Sequence, residues 1–277
     1  MYSIGFMVMK GVLLAALVLL AGAACAADLQ VLKPVYVMVQ DDGEVFLGTV
    51  GPGQTVFVEA DALVETGGIH GIGGRWDRLE VVDVPGGWTA EDSFLYEQPL
   101  KARITVAKEA PDGEYEVLVR SVDIENKEGL GEVNLKLIVN VSREVFGMEV
   151  LPSEKETGAT QPATYTVMIE NKGVASDAFE ISAKGLPAWD YKKAVFVPYG
   201  TCKSVQYDLV GAEDGEYDVT VAVRSFSSDR IEGEERVHLS VKTTLVSDYK
   251  ATNNGLLLFP IFEQAAYSIM GLLANLF

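Results

Sequence analysis

Cysteine and histidine are nearly missing from this sequence, with two of each in 277 residues. Cys25 falls in an N-terminal apolar segment, which leaves Cys202 alone. A single thiol cannot close an intramolecular disulfide, so a disulfide-stapled scaffold is excluded. Cys202 is expected to be a buried or inert thiol, the usual behaviour of free cysteine. His70 and His238 are far apart and lack the company of other ligands at metal-binding spacing, so no metal site is expected. Basic side chains are scarce too. Against 40 Asp and Glu there are 22 Lys and Arg, a net charge of −18. Such a surface repels phosphate backbones and no basic stripe compensates locally, which excludes nucleic acid as a partner. Finally, no nucleophile stands in a motif with its base, and no carboxylate pair is marked out for glycosidic chemistry. The chain is expected to be non-enzymatic and to need no cofactor.

What is present begins at the two ends. Val12 to Leu20 reads VLLAALVLL, with Lys10 before it and small residues from Ala21 to Ala27 after it. A positive start, a short apolar run and a small-residue cleavage region describe a secretory signal peptide over 1–27, with Asp28 opening the mature chain. The rival expectation is an uncleaved N-terminal anchor. At the other end, 256–277 is long enough as a helix, at about 1.5 Å per residue, to cross a ~30 Å hydrocarbon core. Pro260 suits a first helical turn, while Glu263 is costly in hydrocarbon unless paired or interfacial. Gln264, Tyr267, Ser268, Gly271 and Asn275 recur at helical spacing, so they share one face. A stripe of small and polar residues is what a membrane helix sets against a partner helix. The alternative is a helix lying at the interface or docked on the protein's own domains. The expected location is the outer face of a cell membrane.

Between the ends, helical periodicity gives way to short alternating runs rich in Val, Ile, Thr and Tyr, punctuated by Gly, Pro, Asn and Asp. This pattern predicts an all-β fold of sandwich type. It also repeats. Asp112-Gly113-Glu114-Tyr115 returns as Asp214-Gly215-Glu216-Tyr217, Trp88 as Trp189, and Arg120-Ser121 as Arg224-Ser225, each about a hundred residues on. A sandwich domain has about that length. Two tandem immunoglobulin-like sandwiches are therefore expected at 28–145 and 146–246, with a linker at 247–255 before the apolar helix. Each Asp-Gly supplies turn chemistry, and the following Tyr can return its hydroxyl to the backbone, as tyrosine corners do. The two matched tryptophans are expected as core anchors.

The run Glu170-Asn171-Lys172-Gly173, Gly185-Leu186-Pro187-Ala188-Trp189, Val197-Pro198-Tyr199-Gly200 and Asp214-Gly215-Glu216-Tyr217 resembles the immunoglobulin-like domain associated with α-galactosidases. That domain also occurs in tandem in predicted archaeal and bacterial surface membrane proteins. The resemblance covers about Leu151 to Val246, and less of Leu29 to Val145, where the Asn-x-Gly turn is missing. It implies a non-catalytic surface module, often beside a membrane anchor, with no catalytic residues to transfer.

The first repeat is longer than the second between its early proline and its tryptophan. The excess falls in Thr66 to Arg78, which holds the unmatched Trp76, His70, and both Arg75 and Arg78. Loops on an invariant frame are where recognition is grafted, and Trp and Arg most often dominate binding energy. Arg75, Trp76, Arg78 and His70 are thus the expected contact residues for a protein or glycan. The opposing expectation is a glycine-rich loop with Trp76 folded onto its own sandwich. The glycines resemble a phosphate loop only superficially, since no helix follows. Asp41-Asp42-Gly43-Glu44 and Glu213-Asp214-Gly215-Glu216 lack the spacing of a calcium loop and read as turns. Asn140-Val141-Ser142 is a glycosylation sequon. Two functions follow as expectations: a membrane-anchored surface protein whose domains bind protein or glycan, or an accessory subunit of a membrane complex, transporter or translocon-associated, docked through its C-terminal helix.

Overall fold

The computed structural model describes residues 28–187 and 189–243. The expected signal segment, the linker and the apolar helix with Gln264, Tyr267, Ser268, Gly271 and Asn275 lie outside the described residues. Among the described residues no helix is long and apolar enough to cross a membrane. The described chain is all-β, with one short 3-10 turn at Ile124–Asn126. It divides into two compact units. Unit 1 runs to Val145 and takes in Gly173–Ser176; unit 2 comprises Phe146–Lys172 and the chain from Asp177 on.

In unit 1 the residues of strands Thr55–Ala60 and Leu100–Thr105, among others, alternate between core and solvent, as the two-residue period of a pleated strand demands. One sheet has the order β2 (Val37–Val39), β1 (Leu29–Lys33), β4 (Thr55–Ala60), β9 (Leu100–Thr105), β8 (Thr89–Glu91). The other has the order β3 (Gly43–Val50), β11 (Glu132–Val141), β10 (Gly113–Val122), β7 (Arg78–Asp83). Val56, Val58, Leu100 and Ile104 from the first sheet and Val117, Val119, Leu135 and Leu137 from the second are buried in one core. Burying each such side chain contributes about 1.5–3 kcal/mol. All pairings are antiparallel except β3 with β11, which run parallel. A small hairpin, β5 (Leu63–Val64) with β6 (Gly74–Arg75), fills the long connection between β4 and β7.

Unit 2 is built likewise, from a sheet of order β12 (Phe146–Leu151), β14 (Pro162–Asn171), β17 (Cys202–Val210). Its second sheet has the order β13 (Glu154–Thr157), β19 (Glu232–Val241), β18 (Gly215–Ser225), β15 (Asp177–Lys184), β16 (Lys193–Val197). Tyr165, Tyr207, Phe179 and Ile169 are its largest fully buried side chains. Burial pushes the Tyr165 hydroxyl up to about 12, and it donates to the His238 carbonyl at 2.9 Å. Here β13 pairs parallel with β19. Two sheets, with an early strand lying parallel to the last one, give each unit an immunoglobulin-like order.

The repeated turns do equivalent work. Tyr115 donates its hydroxyl to the Pro111 carbonyl at 3.0 Å, and Tyr217 to the Glu213 carbonyl at 2.9 Å, so both units hold a tyrosine corner. Trp88 is buried against Tyr115, ring centroids 5.4 Å apart. Trp189 departs from the core-anchor expectation. It is only half-buried, packed 5.9 Å from Tyr191. For Cys202 the structure removes the buried alternative only. The side chain is a free, exposed thiol, because β17 turns Val205, Tyr207 and Leu209 inward and leaves the alternate positions outside.

Candidate functional site

The excess length of the first repeat is the connection of residues 61–76, where unit 2 spends only 172–176. The structure folds this excess into the β5–β6 hairpin, and its glycines are what allow the tip. Gly73 has φ of +90°, and a Cβ there would lie 1.8 Å from the Val64 carbonyl oxygen. Only glycine fits without moving the backbone. The tip then docks on the loop between β10 and β11. Ile69 N–H donates to the Glu128 carbonyl at 2.8 Å, and Gly129 leaves room for the Ile69 side chain.

Of the two expectations for Trp76, contact residue or a side chain folded onto its own sandwich, the structure answers to the second. Trp76 is fully buried, the largest such side chain in unit 1, and cannot act as an exposed platform. The hairpin turns the chain back so that Trp76 N–H donates to the Ala62 carbonyl at 2.7 Å, and the indole enters the core just before β7. Arg75 and Arg78 are half-buried and engaged with their own unit. Arg75 Nη2 donates to the Tyr96 carbonyl, and Arg78 Nη2 pairs with Asp92 Oδ2 at 2.6 Å. His70 is exposed at the hairpin tip. The four candidates thus share one stretch of chain but not one role: His70 faces solvent, the arginines brace loops, and Trp76 belongs to the core.

Two buried aspartates, which the sequence reading passed over, organise the surface instead. Asp77 is 7% exposed. Its carbonyl accepts Tyr96 N–H at 2.8 Å and its Oδ2 accepts Ile124 N–H at 2.8 Å. Asp123 is 5% exposed, and its Oδ2 accepts Glu128 N–H at 2.9 Å and Leu130 N–H at 3.1 Å. Carboxylates satisfying several backbone donors make strong, charge-assisted loop anchors. Together they tie the hairpin, the Phe94–Glu97 turn and the Asp123–Gly131 loop into one surface. The available signal was an Asp shared by both repeats ahead of the same strand. Asp177 of unit 2 is also buried, and accepts from Ser225 and Ser227 hydroxyls at 2.6 and 2.8 Å.

The surface so held exposes apolar groups beside the charged Glu125, Lys127 and Glu128. Ile69, Ile72, Phe94, Leu95 and Tyr96 are all at least half exposed. Tyr96, Glu125 and Asn126 take positive φ without being glycine, a conformation that costs on the order of 1–3 kcal/mol per residue and persists only where neighbours enforce it. Lys127, exposed nearby, is held above the usual lysine range by its hydrogen bond to Glu125. Among the described residues no group of three His, Cys, Asp or Glu side chains is placed to hold a metal ion. Asn140 lies outside this surface, exposed on β11, its Nδ2 3.3 Å from Thr49 Oγ1.

No family model matches the chain, and no curated protein matches it in sequence. Among solved structures it is similar to the fibronectin(III)-like modules of Clostridium thermocellum CbhA, at 13% identity, 77% of this chain, 94% of that chain and a TM-score of 0.27. It is also similar to a chimeric titin Z1Z2 carrying an exogenous peptide from decorin, at 10% identity, 79% and 100% coverage and a TM-score of 0.34. A β-glucosidase from Listeria innocua matches over 36% of this chain and 16% of its own, at 16% identity and a TM-score of 0.27. The immunoglobulin-like fold rests on the strand order within each unit.

Proposed function

We propose that this chain is a non-catalytic, exported and membrane-anchored protein that presents two immunoglobulin-like domains, of the α-galactosidase-associated kind, for contact with a partner outside the cell. The observation that carries the reading is the loop surface of unit 1. Buried Asp77 and Asp123 hold three loops in fixed positions, and the outward side chains there include the apolar Ile69, Ile72, Phe94 and Tyr96 beside the charged Glu125, Lys127 and Glu128. Exposed apolar groups clustered on a rigid frame mark contact sites, since solvation alone selects against them. Export and anchoring rest on the apolar ends of the sequence. The stripe of Gln264, Tyr267, Ser268, Gly271 and Asn275 supports a second reading, an accessory subunit docked through that helix.

The test is cross-linking of the full chain in its native membrane, followed by recovery in mild detergent. A partner recovered with the intact chain should be lost when Ile69 and Phe94 become serine. A Gly271→Leu change that removes it, with the loop variant unaffected, favours the second reading. Recovery unchanged in both variants removes the contact role of both surfaces.

A further inference from the structure

Beside the hairpin, unit 1 holds a groove of about 910 Å³. Met38, Leu63, Val64 and Ile72 give it apolar walls, and Gly73 and Gly74 bring bare backbone to its lining. These walls are open to solvent: Met38 is 59% exposed, Leu63 53% and Ile72 80%. The charged part of the lining is acidic, from Asp28, Asp61 and Glu65, with the neutral Gln30 and Thr66 beside them, and no Lys or Arg lines it. Some carboxylates of unit 1 are ion-paired, as Glu59 is by Lys33 and Lys101, and Glu80 by Arg120. The three at the groove have no ion pair among the described residues. Asp61 Oδ1 accepts only a backbone bond, from Leu63 N–H at 2.9 Å. Cleavage after Ala27 would add an amino group beside Asp28, and Asp61 with Glu65 would still leave the rim negative.

Exposed aliphatic and thioether walls favour an apolar guest, because contact removes both surfaces from water. An uncompensated acidic rim raises the local concentration of cations and repels anions. A groove of this size falls in the range of sites that bury most of a ligand, commonly ~300–1,000 Å³. We propose that this groove binds a cationic amphipathic peptide segment of the partner, with aliphatic side chains against Met38, Leu63 and Ile72 and Lys or Arg at the rim of Asp61 and Glu65. An extended segment alternating the two types meets both requirements, since successive side chains of a strand point to opposite faces. The proposal rests on the reading of the unit 1 loop end as a contact surface, and it names the chemistry of what is contacted.

The experiment titrates a fluorescent, acetylated octapeptide of alternating Leu and Lys into the full chain in mild detergent, with a Leu-Glu octapeptide as its acidic counterpart. All arms contain the same micelles, so differences between variants isolate the protein. The Leu-Lys peptide should bind at least about tenfold tighter than Leu-Glu. Ile72→Lys should weaken it by about tenfold or more, by removing an apolar wall and adding a like charge. Asp61→Asn with Glu65→Gln should weaken it by roughly threefold and flatten its salt dependence. Glu114→Gln, away from the groove, should change nothing, and near-UV circular dichroism should match the parent in every variant. Equal binding of both peptides, or Leu-Lys binding indifferent to Ile72→Lys, overturns the proposal. Binding to phosphatidylcholine vesicles that is lost on Ile72→Lys, without a peptide effect, also overturns it and makes the face a membrane contact. If partner recovery still falls with the Ile69 and Phe94 changes while the peptide arms fail, the groove assignment is wrong and the contact surface stands. If both fail, the contact surface itself is wrong.

Discussion

The two units share their turns and differ in one strand. In unit 1 the segment after β7, β8, pairs with β9, so the sheet holding β4 and β9 continues past them. In unit 2 the corresponding segment, β16, pairs instead with β15 on the opposite sheet, and β17 is left as an edge. A nine-residue edge offers unpaired backbone groups to any passing strand. Unit 2 answers with lysines. Lys193 of β16 donates to the Gln206 carbonyl of β17 at 2.8 Å, and Lys203 of β17 donates to the Phe196 carbonyl of β16 at 3.1 Å. Two charged side chains cross between edge strands and occupy carbonyls that a foreign strand would need. Unit 1 closes a different edge. The N–H groups of Leu79 and Val81 on β7 are taken by the side chains of Ser93 and Asp92, both at 2.9 Å. Moving one short strand between sheets changes which edge needs protection.

The second difference is the connection ahead of β7 in unit 1 and β15 in unit 2, and the largest predicted effect tests it. Trp76→Ala should cost unit 1 about 3–5 kcal/mol, since it empties a fully buried indole site. Unit 2 has Ser176 at the matching place before Asp177, so its own unfolding should not move. Hydrogen exchange resolved by unit checks this, and equal loss of protection in both units would remove the asymmetry. Lys193→Met with Lys203→Met should leave unit 2 folded but make the chain associate with rising concentration, read by sedimentation velocity; a variant as monodisperse as the parent would deny the edge-guarding role.

Two smaller effects sharpen the likeness. Tyr115→Phe and Tyr217→Phe each remove one hydroxyl bond at the same corner, and each should cost its own unit about 0.5–1.5 kcal/mol in urea unfolding. A loss in one unit alone would break the equivalence of the corners. The smallest effect is a pH response in unit 2. His238 Nδ1 lies 3.0 Å from Asp218 Oδ1 and its Nε2 lies 3.1 Å from Glu216 Oε2. Both nitrogens can donate only in the imidazolium, and the bonds to Asp218 and then Glu216 hold its pKa above the ordinary 6.5. The group binds its proton more tightly folded than unfolded. Its contribution is therefore complete below pH 6.5 and disappears as pH rises through the raised folded value. Glu216, bonded by Lys242, Ser240 and His238, is lowered from 4.5, so its contribution is present above that value and fades as pH falls through the lowered one. His238→Gln should flatten the fall in unit 2 stability above pH 6.5, measured by thermal unfolding across pH 6 to 9. An unchanged profile would mean that the imidazolium adds nothing.

Much of the frame was legible because turn chemistry and strand alternation are local. Asp112-Gly113 and Asp214-Gly215 announce the start of β10 and β18, and the Tyr after each lies where its hydroxyl can return four residues. The length excess at 61–76 marked where the units diverge and where the exposed loop surface stands. The inward turn of Trp76 was one of two readings open to the sequence, and a lone Trp among glycines has no periodicity to choose between them. The exposure of Cys202, which depends on the phase of β17 against β14, was not legible, nor was the anchoring by Asp77 and Asp123, whose partners come from loops distant in sequence.

Left to itself, the order of residues determined that this chain forms short strands with Asp-Gly and Gly-rich turns, in two similar copies, with apolar ends and an acidic surface. These follow from side-chain volume, backbone freedom and charge, which act within a few residues. Only the tertiary structure decided which sheet receives β8 or β16, which tryptophan is buried, and which loops form a surface. Those choices depend on edges left open and volumes left unfilled by strands far apart in sequence, and no local window contains them.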